Sequence, residues 1–198
     1  MKQKSVTKYI LIGVLVAVVV AAVASVIYRN ITPIIYFSIN AEKVTEFPYL
    51  DDTLLSDDVK SLLNLAKSEY DNPKPGEYYA EGVSEPWCAD FVSYLHNKTG
   101  KPFTNPNTGS WRIPGIYTLQ DYLESINAWH SEPTYSPQPG DIVIYNGGLF
   151  GGHTNIVVQV DGDYITTIGG NEGNRIRLDH FKWQDKSYGV QGFGHLLY

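Results

Sequence analysis

The chain has one cysteine and one methionine in 198 residues, and it is short of positive charge. A lone cysteine excludes an intramolecular disulfide. The charge deficit is uneven. Residues 1–30 hold four of the fifteen Lys and Arg and none of the Asp and Glu, which leaves the remainder with eleven basic against twenty-one acidic residues, a net −10. Such a domain lacks the basic footprint of a nucleic-acid binder, so no nucleic-acid partner is expected. Internal repeats and low-complexity tracts are also lacking. The roughly 145 residues after position 52 suit a single domain with one core.

One long apolar run is present, at residues 9–28: twenty residues without a charge, preceded by Lys2, Lys4 and Lys8 and followed by Arg29. A helix crossing a bilayer needs about 20 residues. The lysines before the run predict a cytoplasmic N-terminus, residues 1–8, with everything after Arg29 exported. The run therefore reads as a transmembrane signal anchor, and the expected location is the cell membrane, single-pass, with the domain outside. Ala22-Val23-Ala24 also fits the small-residue pattern of a cleaved signal peptide, which would release the same domain as a secreted one. Residues 29–52 carry Pro33 and Pro48 and no sustained helical period. They read as a membrane-proximal stalk whose apolar Ile34-Ile35-Tyr36-Phe37 packs back on the domain, which occupies 53–198.

Helical spacing comes first along the domain. After Ser56, a residue suited to capping, Val59, Leu62, Leu63 and Ala66 predict a helix to Tyr70. Asp71-Asn72-Pro73-Lys74-Pro75-Gly76 then breaks regular structure, and a tyrosine-rich loop leads to Pro86. A second helix opens at Pro86 and closes at Gly100, with Cys88, Phe91, Val92 and Leu95 on one stripe. A third is expected from Thr118, as cap, to Ala128. After it the period changes to two. Asp141–Tyr145, His153–Val160, an Asp161-Gly162 turn, Tyr164–Ile168 and a last strand over 192–197 read as antiparallel strands. Helices followed by hairpins predict an α+β domain with helices on one face of the sheet.

Cys88 follows Pro86-Trp87 at the start of the second helix, where the positive end of the helix dipole favours thiolate over thiol. A lone cysteine is otherwise a small core residue, so its partners decide. His153 opens a strand after Gly147-Gly148-Leu149-Phe150-Gly151-Gly152, and it alone of the five histidines joins loop glycines to a strand start. His96 and His130 fall near helix ends, and His180 and His195 lie in segments with no other polar cluster. Asn171 ends the strand that the Asp161-Gly162 hairpin pairs with the His153 strand. A polar side chain there can accept the imidazole N–H and orient the ring.

The blocks Pro86-Trp87-Cys88-Ala89-Asp90-Phe91-Val92-Ser93, Gln138-Pro139-Gly140-Asp141-Ile142-Val143, Gly152-His153-Thr154-Asn155-Ile156-Val157-Val158 and Ile168-Gly169-Gly170-Asn171 together resemble the CHAP family of cysteine, histidine-dependent amidohydrolases and peptidases, related to NlpC/P60 cell-wall hydrolases. The resemblance implies a papain-like fold over about residues 56–198. It also implies a Cys88-His153-Asn171 catalytic set and peptidoglycan as substrate, cut either as an N-acetylmuramoyl-L-alanine amidase or as an endopeptidase. One departure stands out. Many members carry a glutamate two residues before the motif asparagine, where this chain has Gly169; Glu172, just after the asparagine, ranks second as orienter. The acidic calcium cluster of some members is not seen, so no metal and no cofactor are expected. The backbone N–H of Cys88 is the first oxyanion donor, and Tyr79 is a candidate for the second. The reading from another class is a non-catalytic papain-like module that binds wall peptide or serves as the anchored subunit of an export or conjugation apparatus.

Overall fold

The computed structural model describes residues 12–26, 37, 39–51, 53–131, 135–146 and 152–196. Within it, strands β1 (Glu42–Val44), β2 (Trp129–Ser131), β3 (Ile142–Tyr145), β4 (His153–Asp161), β5 (Tyr164–Gly169), β6 (Arg177–Lys182) and β7 (Val190–Gly194) form one seven-stranded sheet. Its order is β1-β6-β5-β4-β3-β7-β2, and every pairing is antiparallel. Helices α1 (Asp57–Asp71), α2 (Gly76–Tyr79), α3 (Cys88–Lys98) and α4 (Ile116–Ser125) lie between β1 and β2 in sequence. This is the α+β arrangement that the change of period predicts.

Local chemistry sets the helix ends. Ser56 caps α1 by accepting from the Val59 N–H at 3.3 Å, and Asp57 and Asp58 complement the dipole in the first turn. Gly100, at φ +79°, follows the last turn of α3 in the left-handed conformation that glycine adopts without penalty. The third helix departs from expectation at both ends. It starts at Ile116 rather than after a Thr118 cap, because Gly115, extended after Pro114, already serves as N-cap. It stops at Ser125 rather than Ala128, and Asn127 at φ +58° turns the chain into β2. Likewise the last strand runs over Val190–Gly194 instead of 192–197; Leu197 lies outside the described residues. Three strands, β1, β2 and β6, and the short α2 arise where no element was expected.

Both faces of the sheet are covered. Ile142, Ile144, Ile156, Val158 and Ile168 pack with Phe91, Val92 and Leu95 of α3 in the larger core. Val143, Tyr145, Val157, Phe181 and Phe193 form a second core, closed by Phe37 and Ala41 from the segment read as stalk. All four residues of β3 are consequently buried, the signature of a strand with no solvent face. Of the apolar run expected to pack back on the domain, Phe37 does so; Ile34, Ile35 and Tyr36 lie outside the described residues.

Residues 12–26 form a helix with exposed side chains, the described part of the run read as an anchor. Among the described residues no helix is long and apolar enough to cross a membrane. Residues 1–11 and 27–36, which hold the ends of that run, lie outside them.

Candidate active site

Cys88 is the first residue of α3 and only 5 % exposed. The N-cap, Trp87, gives no capping hydrogen bond from its side chain to the N–H groups of the first turn. Trp87 instead fixes where the helix begins. Its ring stacks on Tyr79 with centroids 5.3 Å apart, and its indole N–H donates to Asn174 Oδ1 at 3.1 Å. That bond ties the start of α3 to the turn after β5. Gly170 makes the approach possible, since a Cβ there would come within 2.5 Å of the Trp87 ring. From the other side Arg112 bridges Glu85 (2.6 Å) and the fully buried Asp90 (2.7 Å), clamping the loop before Cys88 to the helix. Burial pushes the Asp90 carboxyl up to about 6, against the pull of Arg112.

His153 opens β4 opposite Tyr145 of β3, with the two rings 5.9 Å apart. Its Nε2 lies 3.2 Å from Glu172 Oε1. The Cys88 thiol is the other group that acts on the ring and favours its protonated form. Burial by itself would depress the imidazole pKa. The hydrogen bonds and negative charge offered by Cys88 and Glu172 more than reverse this and hold it up at about 10. The histidine is therefore held toward its imidazolium form between the Cys88 sulfur and the Glu172 carboxylate. Glu172 is also buried, yet its bonds to His153 and Asn155 keep its pKa below the usual carboxylate range.

The structure thus brings Cys88, His153 and Glu172 together. Asn171 is placed differently from the expectation. It sits at φ +60° in the turn after β5 and lines the same cleft, but among the described residues the carboxylate of Glu172, not the Asn171 amide, hydrogen-bonds His153. The left-handed turn at Asn171 reverses the chain so that the next side chain points back to the imidazole. Gly169 shows why no glutamate stands there. A Cβ at that position would be 1.9 Å from Asn155 Oδ1 and 2.9 Å from Glu172 Oε1, so that space is already filled. Asn155 is a residue the sequence reading missed: it donates to Glu172 Oε1 at 3.0 Å and to Thr167 Oγ1 at 3.1 Å, fixing the carboxylate. Its place two residues after His153 on a strand was the available signal, since alternate residues share a face.

Tyr79 is not an oxyanion donor. It is fully buried, its hydroxyl donates to Glu69 at 2.9 Å, and burial pushes its pKa far up. The histidine set aside for want of a polar partner, His195, does have one: its Nδ1 is 2.7 Å from the buried Asp141. His180 likewise pairs with Thr166 Oγ1 at 3.0 Å. Two hollows flank the Cys88–His153 contact. One of about 300 Å³ is lined by Glu85, Pro86, Cys88, Ile116 and Tyr117. The other, about 210 Å³, is lined by Phe37, Tyr145, His153, Asn171, Glu172 and Tyr188. Of the expected glycine-rich loop only Gly152 is among the described residues; 147–151 lie outside them.

Residues 78–171 match the family model of the CHAP domain, and this span contains Cys88, His153 and the turn at Asn171. Residues 78–171 are thus similar to the CHAP domain, as the four sequence blocks led us to expect. No curated protein sequence matches the chain. Among solved structures it is similar to the crystal structure of Ly7917 (18% identity, 69% of this chain and 62% of that chain, TM-score 0.44). It is also similar to the structure of Ly7917 with the hydrolyzing product of MDP (19% identity, 68% and 61%, TM-score 0.44). The chain thus matches less than two thirds of the length of Ly7917.

Proposed function

We propose that this chain is a peptidoglycan hydrolase that cuts an amide bond by thiol chemistry at Cys88. The observation that carries the reading is His153, held between the Cys88 thiol and the Glu172 carboxylate with its pKa raised to about 10. A module that only binds peptide needs no such ion pair.

The steps follow from that geometry. Cys88 sulfur, as thiolate, attacks the amide carbonyl carbon, and the carbonyl oxygen takes the negative charge. The Cys88 backbone N–H, at the end of α3, stabilises that charge. The intermediate collapses as the C–N bond breaks and the His153 imidazolium gives its proton to the leaving amine, leaving a thioester on Cys88. Water then loses a proton to His153 and attacks the thioester, releasing the carboxylic acid and restoring the thiolate–imidazolium pair. Glu172 holds the ring in register and stabilises the imidazolium throughout.

The bond cut is that of an N-acetylmuramoyl-L-alanine amidase or of a peptidoglycan endopeptidase. The domain works outside the cytoplasm, held at the membrane by residues 9–28. The helix at 12–26 supports this, because exposed apolar side chains suit a lipid surround. Mass analysis of fragments released from purified peptidoglycan tests the assignment. New amino termini paired with free carboxyls are expected from wild type and none from Cys88→Ala; fragments that persist in the variant would falsify it.

A further inference from the structure

Behind Glu172 the sheet holds a second buried carboxylate. Asp179, on β6, is fully buried, and its neighbours across the sheet are Thr167 on β5 and Lys43 on β1. Its Oδ1 receives Lys43 Nζ at 2.5 Å and an Arg177 guanidinium N–H at 2.9 Å. Its Oδ2 is buried with no donor, and Glu172 is the carboxylate it hydrogen-bonds when it carries a proton. Two buried carboxylates that share one guanidinium, Arg177 at 2.9 Å from Asp179 and 3.7 Å from Glu172, cannot both stay ionised unless cations compensate them. The groups facing this pair are Lys43 from β1, Arg177 from β6, His153 from β4 and the Tyr145 ring from β3. Lys43 lies outside the segment matched by the family model, on the stretch that reads as a stalk.

We propose that Lys43 is a positioning residue of the thiol site: by neutralising Asp179 it keeps that carboxylate ionised, so that Glu172 gives its full charge to His153. The inference rests on the Cys88–His153–Glu172 reading above. Without Lys43, Asp179 takes up a proton and donates it in a hydrogen bond to Glu172, which draws charge away from the imidazolium. The thiolate then loses its counter-ion. Phe37, from the same arm, lines the hollow beside His153 with its ring 4.9 Å from Tyr145, so the arm both walls and tunes the site. Burial and Glu172 already hold the Asp179 carboxyl up at about 6, close enough to neutrality for the loss of one cation to change its state at pH 7.

Alkylation of Cys88 by iodoacetamide, followed from pH 4 to 9 on the full chain, reads the thiolate without requiring hydrolysis. Lys43→Met is expected to slow alkylation at pH 7 by about tenfold, the equivalent of a one-unit pKa change, and to move the acid limb of the profile upward. Lys43→Arg should restore both. Asp179→Asn should be slowed similarly, and adding Lys43→Met to it should cost little more. A Lys43→Met profile that overlays wild type, or a defect undiminished in the Asp179→Asn background, overturns the proposal. Should Lys43→Met fail to fold by circular dichroism, the decision passes to Asp179→Asn, where a wild-type profile is the overturning result. A wild-type chain that alkylates as described yet releases no wall fragments would strike the hydrolase reading and leave this one standing.

Discussion

Two histidine–carboxylate pairs sit at opposite ends of β3. At one end His153, opposite Tyr145, meets Glu172 at 3.2 Å; at the other His195 meets Asp141, the residue before the strand, at 2.7 Å. Both carboxylates are buried. The pairs differ in what lies on the far side of the ring. His153 has the Cys88 thiol at a helix N-terminus and hollows on either side. His195 also lines a hollow, of about 240 Å³, but its neighbours are aromatic rings rather than a thiol, with Tyr135 and His130 at centroid distances of 5.9 and 6.3 Å. Burial raises the Asp141 carboxyl and His195 holds it back down, which describes a strut between β7 and the entry to β3. A histidine held by a carboxylate is thus a common structural part. It becomes an active group where a nucleophile shares it.

The sharpest way to break this comparison is to remove the nucleophile. Cys88→Ala should lower wall-fragment release by about 10⁴–10⁶-fold, as when other covalent catalysts lose their nucleophile, with the circular dichroism spectrum unchanged. Next in size is the orienter. Glu172→Gln keeps the shape but removes the charge that favours the imidazolium, and kcat is expected to fall about 10²–10⁴-fold. Asn171→Ala, which leaves Glu172 in place, should stay within about tenfold of wild type. If the two variants exchanged these effects, Asn171 would be the orienter and the bond from Glu172 incidental.

That last contrast also marks where sequence reasoning runs out. Cys88 and His153 were legible because each depends on local pattern: a proline and an apolar stripe define the start of α3, and glycines followed by alternation define the start of β4. The choice between Asn171 and Glu172 turns on one residue in a turn, and a shift of one residue reverses the direction of a side chain. Only the φ of +60° at Asn171 and the filled space above Gly169 decide it. The helices α1 and α3 and the β4–β5 hairpin were readable for the same local reasons. Strands β1 and β2 have three residues each, too few to show a period, and exist because β6 and β7 offer edges to pair with. Lys43 and Asp179 are 136 positions apart in sequence and meet only through that pairing.

A smaller effect separates the two ends by pH. Asp90, two residues after Cys88, has its folded pKa raised from 3.8 to about 6, chiefly by burial. A raised carboxyl binds its proton more tightly in the folded state. Its contribution to stability is therefore full below pH 3.8 and is lost as pH rises through about 6. Asp90→Asn resembles the protonated form at every pH. Relative to wild type, its melting temperature should be higher at pH 7.5 than at pH 4, by a difference on the order of 2–3 kcal/mol in stability. A gap between the two proteins that is constant from pH 4 to 7.5 would show that Arg112 fully compensates the buried charge.

At the strut end the expected change is in stability alone. His195→Gln keeps a hydrogen-bond donor within reach of Asp141 and should cost about 1 kcal/mol, a few degrees in melting temperature. Wall-fragment release and iodoacetamide reactivity should be unchanged, because among the described residues His195 and Asp141 have no hydrogen bond to Cys88, His153 or Glu172. Loss of activity with normal melting would mean that the two pairs are coupled along β3, four residues of which are buried on both faces. The strand would then act as a rigid link rather than a partition, and the active site would extend to both its ends.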